Sequence, residues 1–241
     1  MGFAHPFEAV SPWFMHSLLQ SISEDWRAEK RIKGRIVAVG SGPMVDRARN
    51  DVCKAFLRHP DRPDWLLMVD CDMTWEPPDL RLLFQDADEA ERPVMGGLCF
   101  AGTPDGSKIW PVVLEIVTED LATEDVPAGI RRVDDYPRDQ VFRVDATGAA
   151  FLLIHRGVLE RMAEAIGENH PAPWFAFAYR GSVPFGEDVT FAIRCMKLGI
   201  PIHVDSRVKI GHMKSRPLTE VLYDAQQATQ FPAWTPLRLA K

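Results

Sequence analysis

Short apolar runs alternate with amphipathic stretches over the first hundred residues, and the segment Trp65–Met73 is the sharpest of them. Five apolar residues, Trp65 to Val69, read as a strand buried on both faces, as in a parallel α/β sheet. The pattern around it predicts a short first strand over Met1–Pro6. A helix follows through Trp13, Phe14, Leu18, Leu19 and Ile22, with Ser11 as N-cap and Pro12 at its first position. Arg35–Val39 predicts a second strand, closed by Gly40-Ser41-Gly42-Pro43. Met44–Leu57 predicts a helix with Val45, Ala48, Val52, Ala55 and Phe56 on one face. Pro77-Pro78 opens another through Leu80, Leu82, Leu83 and Phe84, and Pro93–Phe100 returns as a strand. This βαβαβαβ order predicts an α/β fold with a mostly parallel, Rossmann-like central sheet flanked by helices.

The alternation then breaks at the turn cluster Gly102–Gly106. Val112–Thr118 and Val141–Ala146 predict strands on either side of an acidic, proline-containing loop or hairpin over Thr123–Arg138. Phe151–Ile154 is a buried strand, Gly157–Ile166 and Val189–Leu198 are helices, and Pro171–Trp174 is a loop. Ile202–Val204 and Val208–Ile210 predict two further short strands, so the second half has a small mixed part.

Composition narrows the class. With 241 residues, 46% hydrophobic and 26% charged, the chain is an ordinary globular one with enough length for a substantial core. Its apolar runs are too short to span a bilayer, and no charged-then-apolar leader opens it. The cysteines Cys53, Cys71, Cys99 and Cys195 form no CxxC pair, which predicts reduced thiols and a cytoplasmic setting. A net charge of −6 gives no global attraction to nucleic acid. A local basic stretch, Arg207, Lys209, Lys214 and Arg216, suits either phosphates or a solvated surface.

The candidate chemistry sits at the strand ends. Asp70 and Asp72 follow the apolar run, where open α/β sheets bind ligands. Two carboxylates spaced i, i+2 can lean on one hard cation shared with substrate phosphates, although such aspartates also serve in turns. Gly186-Glu187-Asp188 precedes a helix; either carboxylate suits an N-cap, and either suits a general base beside a pocket. His212, after Gly211 at the end of a short strand, could supply an imidazole ligand to Mn²⁺ more readily than to Mg²⁺. Trp110 and Trp174, both near prolines, are candidates for stacking on a sugar or base and equally for packing.

Taken in order, these motifs resemble the GT-A fold glycosyltransferases, especially those similar to family 2. The residues carrying the resemblance are the βαβαβ start, Ala48-Arg49-Asn50, Leu67–Met73, Gly148–Ile154, Gly186-Glu187-Asp188 and Gly211-His212. It covers about residues 1–215, implying one catalytic domain with a nucleotide-binding half (1–100), an acceptor-side half (101–215) and an extension over 216–241. The resemblance implies a DxD motif in Asp70 and Asp72, with Cys71 between them, and His212 as the histidine that completes a metal set. It implies Glu187 and Asp188 as the acidic pair near the acceptor, one of them the base of an inverting reaction. His5, Pro6, Ser41 and Arg49 fall at donor-side positions, and Gly148 and Ala149 where small residues admit the sugar. The implied activity is transfer of one sugar from a nucleotide-diphosphate sugar, a UDP-sugar favoured, with Mn²⁺ or Mg²⁺, to an acceptor hydroxyl. That acceptor could be a small molecule, a glycan or a modified nucleic-acid base. The sequence lacks the Gln-x-x-Arg-Trp motif of processive synthases, and it resembles the small stand-alone bacterial and phage members. Two alternatives stand beside it: a nucleotide-sugar-binding protein without turnover, and a nucleotidyltransferase, for which His5-Pro6-Phe7-Glu8 is a poor phosphate loop.

Overall fold

The computed structural model describes residues 2–5, 10–28, 32, 36–40, 44–103, 108–117, 129–167, 169–180 and 183–213. The first part runs β1 (Gly2–His5), α1 (Pro12–Arg27), β2 (Val37–Gly40), α2 (Val45–Leu57), β3 (Trp65–Asp70), β4 (Met73–Thr74), α3 (Pro77–Asp86) and β5 (Val94–Leu98). Small strands follow: β6 (Phe100–Gly102), β7 (Ile109–Pro111), β8 (Val113–Val117), β9 (Gly129–Arg132), β10 (Val141–Val144) and β11 (Ala146–Thr147). The chain continues with β12 (Phe151–His155), α4 (Arg156–Ile166), β13 (Ala178–Arg180), β14 (Val183–Phe185), α5 (Glu187–Lys197), β15 (Ile202–Lys209) and β16 (Gly211–His212).

Seven strands form the central sheet in the order β10-β15-β5-β12-β3-β1-β2. The expected mostly parallel sheet is corrected here to a mixed one. β1 pairs in parallel with β2 and β3, and β15 with β5. β12 runs antiparallel to both β3 and β5, and β10 antiparallel to β15. The early alternation assigns β1, β2, β3 and β5 their common direction, but it carries no sign that β12, over 80 residues later in the chain, inserts between β3 and β5. The smaller sheets are antiparallel throughout, among them β11-β8-β9, β6-β7 and β16-β4.

The side-chain period of two explains the layers. Along β3, Leu66 and Met68 face one core with Val52 and Phe56 of α2, Leu159 of α4 and Phe191 of α5. Leu67 and Val69 face a second core with Phe14 and Leu18 of α1 and Leu80 and Leu83 of α3. Helices therefore cover both faces, as the unbroken apolar run requires. Ile202–Val204 and Val208–Ile210 are joined in one long strand that breaks register between Asp205 and Lys209. The hairpin β13-β14, which leads into α5, is an element the sequence pattern did not predict. Among the described residues no helix is long and apolar enough to cross a membrane.

Candidate active site

The site builds outward from the end of β3. β12 brings Phe151 opposite Val69, and the Asp70 backbone N–H donates to the Ala150 carbonyl at 2.9 Å. Gly148 and Ala149 therefore lie at the rim where Asp70 leaves the sheet. Ala149 is buried, and a Cβ on Gly148 would come within 3.2 Å of Val112 and 3.9 Å of the Asp188 Oδ2. Gly148 thus keeps open the small space that Asp188 faces.

Asp70 and Asp72 point into different partnerships. Arg49 of α2, buried, donates from Nη2 to both Asp70 oxygens at 2.8 and 2.9 Å. Asp72 lies past the strand end, and its Oδ2 is 3.0 Å from His212 Nε2. That closeness comes from β16, where His212 pairs with Met73 and Gly211 with Thr74. A Cβ on Gly211 would collide with the Thr74 Oγ1, so glycine there permits the approach. The imidazole is fixed from its other side, since its Nδ1 is 2.8 Å from the Phe100 carbonyl oxygen at the start of β6. Cys71, between the two aspartates, is buried, and burial together with both carboxylates pushes its thiol pKa up.

Asp72 and His212 contact each other directly at hydrogen-bond distance, and the same spacing suits two ligands of one divalent cation. Two cis ligands of an octahedron with metal–ligand bonds of about 2.1 Å are themselves about 3.0 Å apart, the separation found here. A ligating histidine commonly gives its second ring nitrogen to a backbone carbonyl, the role Phe100 fills. Asp70 is turned to Arg49 instead, and among the described residues no group of three or more His, Cys, Asp or Glu side chains is arranged around one point.

Gly186 is the N-cap of α5 and places Glu187 and Asp188 in its first turn, where the helix dipole favours anions. Glu187 is buried and accepts from Arg49 Nη1. Burial pushes the Glu187 carboxyl above the ordinary range, Arg49 opposes that, and the neighbouring Asp188 adds to it. Burial also works against the Arg49 charge, but Asp70 and Glu187 together hold its pKa above the usual value. Asp188 is only half-buried; its Oδ1 accepts the Val189 N–H at 2.8 Å.

The remaining sequence candidates divide. Trp110 lies on β7 with the Arg132 guanidinium 5.6 Å over its ring. Trp174 belongs to the core: it is 3% exposed, and its indole N–H donates to the Leu159 carbonyl at 2.8 Å. That leaves no ring face for an acceptor, so its stacking role is withdrawn in favour of packing. His5 ends β1, paired with Gly40. Pro6, Ser41, Lys214 and Arg216 lie outside the described residues. Arg207 is engaged by Asp205 and Asp86, and Lys209 by Asp139. The Phe100 carbonyl, which orients His212, carried no sequence signal because any residue supplies a backbone oxygen.

No family model and no curated protein matches the chain. Among solved structures it is similar to GalNAc-T7 in a crystal structure with UDP, GalNAc and Mn²⁺, at 12% identity and a TM-score of 0.52, over 88% of this chain and 43% of that one. The two share a fold. This chain spans less than half the length of that GalNAc-T7 chain. A197 from STIV is also similar, at 14% identity over 91% of this chain and 97% of that one, with a TM-score of 0.48. The described site has Asp70 at the end of β3 and Asp72 just past it, Gly148 between β11 and β12, and Glu187-Asp188 at the start of α5.

Proposed function

We propose that this protein is a metal-dependent glycosyltransferase that moves one sugar from a nucleotide-diphosphate sugar to an acceptor hydroxyl with inversion. The observation that carries the reading is the Asp72–His212 pair, 3.0 Å apart just past β3, beside Asp70, which Arg49 ties to Glu187 in the first turn of α5. The shared fold supports it, and the UDP and Mn²⁺ in the GalNAc-T7 structure favour a UDP-sugar and Mn²⁺.

In this reading Asp72 and His212 would hold the cation. When bound, it supplies charge neutralisation on the departing diphosphate. Asp188 takes the proton of the acceptor hydroxyl, whose oxygen forms the new bond at the anomeric carbon. The old C–O bond to the diphosphate breaks, and its electron pair leaves with the nucleotide. Asp188 suits the base better than Glu187, because Glu187 is buried and occupied by Arg49 whereas Asp188 faces the space beside Gly148. Gly148 and Ala149 keep side chains out of that space. Trp110 is the remaining acceptor-side aromatic.

Incubation with UDP-, GDP- and dTDP-sugars and Mn²⁺ tests the reading through release of the nucleoside diphosphate. Binding without release would instead make the protein a nucleotide-sugar carrier. Asp188→Asn is expected to leave Mn²⁺–nucleotide binding intact and to slow release by about two to four orders of magnitude, the range for a lost base. Near-normal rates in that variant would take the role away from Asp188.

A further inference from the structure

We infer that Arg49 is a positioning residue: its one guanidinium ties the donor-side carboxylate Asp70 to the acceptor-side Glu187 and so fixes where Asp188 stands. The inference rests on the glycosyltransferase reading and assigns Arg49 a task other than contact with the donor.

The geometry of the guanidinium is the first support. An arginine engaged with a single carboxylate typically presents two nitrogens to its two oxygens. Here Nη2 serves both oxygens of Asp70 and Nη1 serves Glu187, while the buried Nε has no hydrogen-bond partner among the described residues. The side chain is thus spread between two acids 117 positions apart in the chain (Asp70 and Glu187) at the expense of its own third contact. Both acids occupy the nitrogens that a donor phosphate would otherwise need.

The second support comes from the next residue of α2. Asn50, also buried, donates to the Phe175 carbonyl at 2.6 Å and accepts from the Trp174 N–H at 3.2 Å. The Phe175 ring stacks on Phe191 of α5 at 4.8 Å and 8°, and lies 5.9 Å from the Arg49 Cζ. Two consecutive residues of α2 therefore grip the start of α5, one through charge and one through the segment that packs on it. Glu187 and Asp188 are adjacent in the first turn of α5, so a displaced Glu187 carries Asp188 with it.

The test measures Mn²⁺–UDP binding by calorimetry, and the kcat and KM for nucleoside diphosphate release from the donor that the sugar-nucleotide panel identifies. Two variants are compared after thermal denaturation shows that they fold: Arg49→Lys, and Arg49→Met combined with Glu187→Gln, which removes one charge of each sign. A lysine keeps the charge but, as a point charge, does not span two carboxylates. Both variants are expected to keep the donor KM and Mn²⁺–UDP affinity within about threefold, and to lose about 10- to 100-fold in kcat, the scale of a small misplacement of a reacting group. Wild-type kcat in either folded variant would overturn the inference. So would a loss confined to donor KM, which would make Arg49 a donor ligand. A wild-type protein that binds no Mn²⁺–nucleotide and releases none overturns the glycosyltransferase reading itself, an outcome separate from the other two.

Discussion

At the scale of single residues, buried polar groups set what the site tolerates. Asn50 is 1% exposed and uses its amide fully, toward the carbonyls of Asp46 and Phe175 and the N–H of Trp174. Asn50→Leu strands the Phe175 carbonyl and the Trp174 N–H in the core. Urea denaturation is expected to show a loss of about 1–3 kcal/mol or more, since each orphaned buried group costs on that order. The cysteines make a second case. Burial pushes the Cys99 thiol up to about 12 and raises Cys53 and Cys195 as well. Thiolate is the reactive form, so at pH 8 a thiol reagent is expected to modify these three in urea and to leave them unmodified in the native protein. The sequence made the absence of a CxxC pair visible. It did not show that the thiols are buried, because burial depends on which helices cover the sheet.

Elements decide whether residues far apart in sequence meet. Gly211 lets β16 lie against β4, and His212 reaches Asp72 as a result. Gly211→Ala is expected to displace the Thr74 side chain against β16 and to weaken Mn²⁺ binding, measured by calorimetry, without unfolding the central sheet. Wild-type Mn²⁺ affinity in that variant would mean that the strand pairing does not set the ligand pair. β15 offers a pH test. Burial lowers the pKa of His203 from the ordinary imidazole value, with Arg92 and Arg143 adding to the effect. The unfolded chain then binds the proton more readily than the fold does. This contribution is full above about pH 6.5 and is lost as the pH falls below it. His203→Gln is expected to remove that part of the acid loss, seen as a smaller drop in urea midpoint between pH 7.5 and 5.5. Helix and strand positions were legible wherever an apolar period ran for five residues or more, as in α2, β3 and α4. The hairpin β13-β14 and the two-residue strands β4, β11 and β16 were not, because so short a run fits any backbone.

On the scale of the molecule, a ligand that binds only the folded chain stabilises it by mass action. If Asp72 and His212 hold a cation with a nucleotide, Mn²⁺ and UDP at 100 times the dissociation constant are expected to add about 2.7 kcal/mol. The gain appears as a higher melting temperature with Mn²⁺–UDP, and it is expected to vanish in Asp72→Ala. A gain that survives in Asp72→Ala would place the cation elsewhere. The common direction of β1, β2, β3 and β5 could be read from their alternation with helices, whereas the place of β12 could not. Strand order depends on which apolar edges meet, and Phe151–Ile154 is equally apolar wherever it inserts. The candidate residues were legible by type, but their alliances were not. Asp70 and Asp72 look alike in sequence and are separated only by Arg49 on one side and His212 on the other.

The reversed course of β12 gives the rim its economy of reach. A strand laid against the grain begins where its neighbours finish, so the backbone of Gly148 and Ala149 enters the ledge at which β3 gives up Asp70. Parallel strands alone would offer only their finishing loops there. This sheet presents an incoming strand as well, and the two halves of the chain meet across it at the level of the main chain.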